Sequence, residues 1–129
     1  MGDRMLKKVF IVMDPRTYDN PWNPFERSVS EDLFECYKTW LEARGVICER
    51  VNNLYELLED QKTSAVFLFL SSYCMHDAVE MKKRYPSALV ILTSAYDYAK
   101  GDPVVDGVQV VEKRYLHQEI VLRCIKEEA

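Results

Sequence analysis

Glycine is scarce in this chain of 129 residues, with four, and histidine scarcer still, with two. Neither G-x-G-x-x-G nor G-x-x-x-x-G-K-[ST] occurs, which excludes the glycine loops that bring a backbone up to dinucleotide or nucleoside-triphosphate phosphates. The cysteines, Cys36, Cys48, Cys74 and Cys124, form no C-x-x-C and no zinc-like ligand pairs. Cys74 and His76 alone are too few to hold a metal. Ser71 and Ser72 lack the G-x-S-x-G elbow of hydrolases. The longest apolar run, Ala65 to Leu70, is strand-length, far short of the ~18–20 residues that cross a bilayer. The opening MGDRMLKK leads into a β-type run without the apolar core of a signal peptide. Basic residues are in deficit, 17 against 21 acidic, and a net charge of −4 lacks the electrostatic footprint of a nucleic-acid binder. These absences predict a cytoplasmic protein that engages neither membrane nor nucleic acid, carries no cofactor or metal, and keeps its thiols reduced.

What remains is a composition 48% apolar and 29% charged, as expected of one globular domain spanning 1–129. Lys8 to Met13, Val46 to Val51, Ala65 to Leu70, Ala88 to Thr93 and Val108 to Val111 read as five strands. Ser28 and Glu31 form a capping box for a helix whose inner face is Leu33, Phe34, Tyr37, Trp40 and Leu41, stopping at Gly45. Asn53 can cap a short second helix carrying Leu54, Leu57 and Leu58, and a third carries Ala78, Met81 and Tyr85 before Pro86. Ala95 to Ala99 suits one helical turn, the fourth helix. Leu116 to Glu127 suits a fifth, with Leu116, Ile120, Cys124 and Ile125 inward. Such alternation predicts an α/β fold, a doubly wound five-stranded parallel sheet of order 2-1-3-4-5 in a three-layer α/β/α sandwich. The first and fifth helices would then bring Cys36 near Cys124, both as reduced packing residues.

In open α/β sheets, ligands collect beyond the carboxyl ends of the strands. The residues leaving those ends are Asp14, Ser71 and Ser72, Thr93 and Ser94, and Lys113. With Arg16 they compose a small polar pocket suited to an anion or a hydrated cation. Asp14 and Lys113 should pair there, because an isolated buried carboxylate is costly.

The order Asp14, a polar β3 exit, Thr93-Ser94-Ala95 and Lys113 resembles the receiver domain of response regulators over nearly the whole chain. The resemblance implies a flavodoxin-like fold. Asp14 matches one of the family's two magnesium-binding acids while Met13 replaces the other. Thr93 and Lys113 match the family's β4 hydroxyl and β5 lysine, and Arg114 stands where a proline usually follows. Ser71 stands where the family carries its phosphorylated aspartate. A serine hydroxyl is a poor nucleophile without a general base, and His76, the nearest candidate in sequence, is not forced toward it by spacing. The resemblance therefore implies a pseudo-receiver: a regulatory or protein-interaction module without aspartyl phosphorylation and without turnover. A protein partner, or a second copy, would meet the fourth helix, fifth strand and fifth helix at Tyr96, Tyr98, Arg114, Tyr115 and His117.

The connection from Asp14 to Arg27 is long for a receiver and carries Tyr18, Trp22 and Phe25. Aromatic and arginine side chains on such a loop suit a ligand cover or a partner anchor. That supports a second reading, a small-molecule or nucleotide-binding protein or enzyme using the strand rim beneath the loop. The plainer reading folds Trp22 and Phe25 back onto the sheet.

Overall fold

Five consecutive residues with four buried side chains make Lys8–Val12 the first strand, β1. In a computed structural model of the chain, residues 8–14, 24–56, 65–94, 100–114 and 116–128 are described. After β1 come α1 (Pro24–Glu42), β2 (Ile47–Val51), a 3₁₀ turn (Leu54–Glu56), β3 (Val66–Phe69) and a second 3₁₀ turn (Ser72–Cys74). They are followed by α2 (Met75–Arg84), β4 (Leu89–Ser94), β5 (Val104–Val105), β6 (Val108–Glu112) and α3 (His117–Glu128). The readings at Ala95 to Ala99 and at Leu57 and Leu58 fall outside the described residues.

The fold is α/β, but its sheet is mixed and six-stranded, in the order β2-β1-β3-β4-β6-β5. Every pairing is parallel except that of β5 with β6, whose antiparallel edge makes the sheet mixed where an all-parallel one was expected. Asp106 (φ 50°) and Gly107 (φ 87°) join those two strands, and two successive positive φ values suit a tight hairpin turn. The Asp-Gly signal was visible in sequence, but a two-residue strand leaves no period to read.

Apolar residues cover both faces of the sheet because its strands are apolar on both sides. On one face Phe10, Val12, Phe67, Phe69, Val90, Leu92, Val108 and Val110 pack with Ala78 and Met81 of α2 and with Leu54. On the other, Val9, Ile11, Val66, Leu68, Ile91 and Val111 meet α1 and α3.

α1 starts at Pro24, not at the predicted Ser28 cap. Proline is favoured in the first helical position, where its missing N–H costs nothing. The expected inner face holds: Phe34, Tyr37 and Leu41 are buried, with Leu33 and Trp40 partly so. The helix stops at Gly45 (φ 87°), where Val46 N donates to Leu41 O and Gly45 N to Glu42 O, a paired bond arrangement that satisfies the last carbonyls.

α3 is rotated from the expected phase. Val121 and Ile125 are buried, Ile120 and Cys124 only partly, and Leu116 is 45% exposed with φ 63°. Its left-handed backbone places Leu116 outside the helix, so it cannot set the helix's inward stripe. All four cysteines are free. Cys36 is exposed and therefore does not pack the interior as expected.

Lys82 ties off the end of α2, its Nζ donating to Pro86 O (2.9 Å) and Ala88 O (2.7 Å). Lys83 is the solvated neighbour, with 68% of its side chain exposed.

Candidate functional site

The register fixes which residues share a level at the carboxyl rim. Val12 pairs with Phe69, Phe69 with Leu92, and Leu92 with Val110. Two residues further along each chain stand Asp14, Ser71, Ser94 and Glu112, the last two directly paired. Side chains alternate along strands, so this level continues the face of Val12 and Phe69. Apolar rows thus give way within one rung to a polar row: Asp14 is 1% exposed, Ser71 4% and Ser94 0%.

Two members of that row organise the turns that follow. Asp14 Oδ2 accepts a hydrogen bond from Leu54 N at 2.9 Å, across 40 residues of sequence. The carboxylate therefore holds the first 3₁₀ turn against the end of β1. Ser71 Oγ accepts from Tyr73 N at 3.2 Å while Ser71 O accepts from Cys74 N, which shapes the second 3₁₀ turn. No hydrogen bond joins Ser71 to His76, which is exposed. The hydrogen bond at Ser71 Oγ comes from a backbone N–H, which does not activate a nucleophile.

Thr93 belongs to the other parity. It pairs with Val111 and shares the face of Ile91, toward α1 and α3. Its residue is 0% exposed, and its Oγ1 has no hydrogen-bond partner. Lys113 follows the last rung of β6, its N–H donating to Ser94 O at 2.8 Å. Its ammonium is close enough to His117 to push that imidazole's pKa down. Asp14 and Ser71 thus continue the face of Val12 and Phe69, Thr93 shares the face of Ile91, and Lys113 follows the end of β6 within electrostatic reach of His117.

Arg16, Tyr18, Trp22, Tyr96, Tyr98 and Tyr115 lie outside the described residues. Phe25 is in the first turn of α1 and Ser72 in the second 3₁₀ turn, and only their backbones are described. Arg114 is exposed and grips Asp102 with two bonds, at 2.8 and 2.5 Å, with Glu112 Oε1 at 3.4 Å. That engagement holds the Asp102 carboxyl below its ordinary value, the hydrogen bonds from Arg114 being the main cause.

His117 is not the freely presented side chain the sequence suggested. Its Nδ1 lies 2.5 Å from the hydroxyl of Tyr37, a fully buried residue of α1, with ring centroids 5.3 Å apart. Burial raises the Tyr37 pKa well above its usual value, and burial with the charges of Lys113 and Arg114 lowers that of His117. The two residues are 80 positions apart, so spacing carried no signal of their contact.

One pocket of about 240 Å³ sits beside the Asp14-bound turn, lined by Leu54, His76, Asp77, Glu80, Met81 and Arg84. Sequence reading missed it, because its walls come from two elements of unrelated periodicity. No cluster of three or more metal-ligating side chains occurs among the described residues. Among the same residues, no helix is long and apolar enough to cross a membrane. Comparison with family models, with curated proteins and with solved structures finds no match to this chain.

Proposed function

We propose that this protein is a regulatory, protein-interaction module: a pseudo-receiver on a flavodoxin-like α/β/α sandwich, with β5 as an appended edge. The observation that carries the reading is Ser71. At the exit of β3, where receivers hold a nucleophilic carboxylate, a buried hydroxyl accepts a hydrogen bond from Tyr73 N. Acyl-phosphate formation has no carboxylate there, and Asp14, the one acid retained from the receiver pattern, is engaged at Leu54 N. Recognition of a protein partner is supported on the β6–α3 connection, where Leu116 is exposed between Arg114 and His117. An exposed leucine held in left-handed backbone is an uncommon arrangement, and such outliers concentrate at functional sites.

Acetyl phosphate with magnesium tests the chemistry. The expected result is no mass increase of the intact protein. Labelling that needs magnesium and disappears in Asp14→Ala would overturn the reading. Leu116→Asp then tests the surface: it should abolish capture of the cognate partner while leaving the thermal transition in place.

A second reading, a small-molecule site at the rim, is favoured by one observation, the buried Thr93 hydroxyl without a partner. Native groups of that kind commonly mark an unrecorded water or ion. Pairing of Asp14 with Lys113 belongs to this reading. A denaturation cycle over Asp14→Asn and Lys113→Met should then show coupling, and additive losses would remove it.

A further inference from the structure

The contact between His117 and Tyr37 joins the first residue of α3 to the middle of α1, and it is built from opposed tendencies. Tyr37 is 0% exposed, and its hydroxyl is hydrogen-bonded to His117 Nδ1. A phenol donates one proton, so a neutral imidazole carrying its own proton on Nε2 is the state that satisfies both partners. Protonating Nδ1 sets two donors face to face. The bond can survive only by reversing, and then the phenolic proton of a fully buried residue, in a cluster that holds Phe34, Leu41, Val121 and Ile125, has to find a new acceptor.

The surroundings add to that opposition. His117 opens α3, so an imidazolium would sit at the positive end of the helix dipole. From the β6–α3 connection, Lys113 and Arg114 repel it, and from α1 the facing titratable group is Tyr37. Just ahead of it, Leu116 holds φ 63° and is exposed, an unfavourable backbone kept only while the start of α3 stays seated. Among the bonds that seat it are His117 N to Arg114 O and Glu119 N to Leu116 O, both 3.1 Å.

We propose that the Tyr37–His117 pair is a pH-sensitive latch: neutral His117 clamps the first turn of α3 onto α1, and protonation of His117 releases that turn and the Leu116 kink. The ligand of the latch is the proton, and its range is the mildly acidic one, below the ordinary histidine value of 6.5. The release is local, because Val121 and Ile125 keep the rest of α3 anchored. It does not depend on the receiver reading, since it uses no residue of the polar row.

Amide hydrogen exchange read by NMR on the full chain tests it. The protection factor of Glu119, corrected for intrinsic exchange, should fall roughly tenfold between about pH 7.5 and about pH 5 as His117 takes up a proton. Those of Phe67 and Leu68 in β3 should hold. Tyr37→Phe, which keeps the ring and removes the donor, should leave Glu119 exposed to exchange at both pH values. Unchanged protection of Glu119 in the wild type, equal loss in β3, or a wild-type pH profile in Tyr37→Phe would each overturn the latch. If that variant does not fold, the imidazole ¹⁵N shifts of the wild type decide. A neutral His117 with its proton on Nε2 is expected, and a proton on Nδ1 would refute the proposal.

Discussion

Asp14 offers the sharpest test of how the rim is built, because two readings of it predict opposite signs. Its carboxylate is 1% exposed and accepts from Leu54 N at 2.9 Å, holding a 3₁₀ turn whose leucine is itself 3% exposed. Truncation to alanine removes a charge-assisted bond and strands a buried N–H. The lost bond and its stranded donor are one event, and for a charged acceptor it costs about 2–3 kcal/mol. Asparagine keeps a neutral acceptor in the same place and should cost roughly half of that. In urea the midpoint should move down with an unchanged slope, since the surface exposed on unfolding is the same. For a domain of this length the melting temperature should fall by roughly 3–5 °C per kcal/mol. A carboxylate held for ligand binding behaves the other way, because functional groups kept in unfavourable settings usually yield stability when removed. An alanine variant as stable as the wild type, or more so, would refute the assignment of Asp14 as the group that fastens the turn.

Two further outcomes follow from the same geometry. Lys82→Met should destabilise by about 1–2 kcal/mol, because the carbonyls of Pro86 and Ala88 lose their donor, whereas Lys83→Met should leave the urea midpoint in place. Asp102 has its folded pKa lowered by Arg114, so its contribution is complete above the ordinary value of 3.8 and is lost as the pH falls from there through its lower folded value. Asp102→Asn should therefore lower stability near neutrality and flatten the acid limb of a stability–pH profile. An unchanged acid limb would show that the pair carries no linkage.

How much of this was legible in the sequence depends on the range of the signal. The strands β1, β3 and β4 were readable because burial on both faces forces continuous apolar runs such as Ala65 to Leu70. The inner face of α1 was readable from its period, but its start was not. Ser28 and Glu31 carry a capping signature that is equally compatible with the interior of a helix begun four residues earlier at Pro24. The phase of α3 was misread because Leu116, Ile120 and Cys124 do form a period, and only the left-handed backbone at Leu116 shows that the first of them is not helical. At the rim, identity was legible and partnership was not. Asp14 and Ser71 could be named from their places after strands, yet Leu54 N and Tyr37 are reached across 40 and 80 residues, and no local pattern encodes such contacts.

Capping of the two 3₁₀ turns accounts for a bond at Asp14 and at Ser71, and this leaves Thr93 as the polar residue at the rim with no structural explanation. Among the described residues its hydroxyl is buried without a partner, at the strand position that pairs with Val111. Desolvating a hydroxyl without compensation costs about 1–3 kcal/mol in proteins. Valine has nearly the same shape and no such debt, so Thr93→Val should raise stability by about 1 kcal/mol in urea denaturation. A gain of that size means that the protein keeps the hydroxyl against its own stability, as expected of a donor reserved for a bound group at the rim. Adding inorganic phosphate should then narrow the gap between variant and wild type, because only the wild type gains by binding. A destabilised Thr93→Val with no response to phosphate would mean that the hydroxyl is satisfied in solution by a buried water. The rim would then be a set of turn-fastening groups throughout, and the small-molecule reading would lose the one observation that favours it.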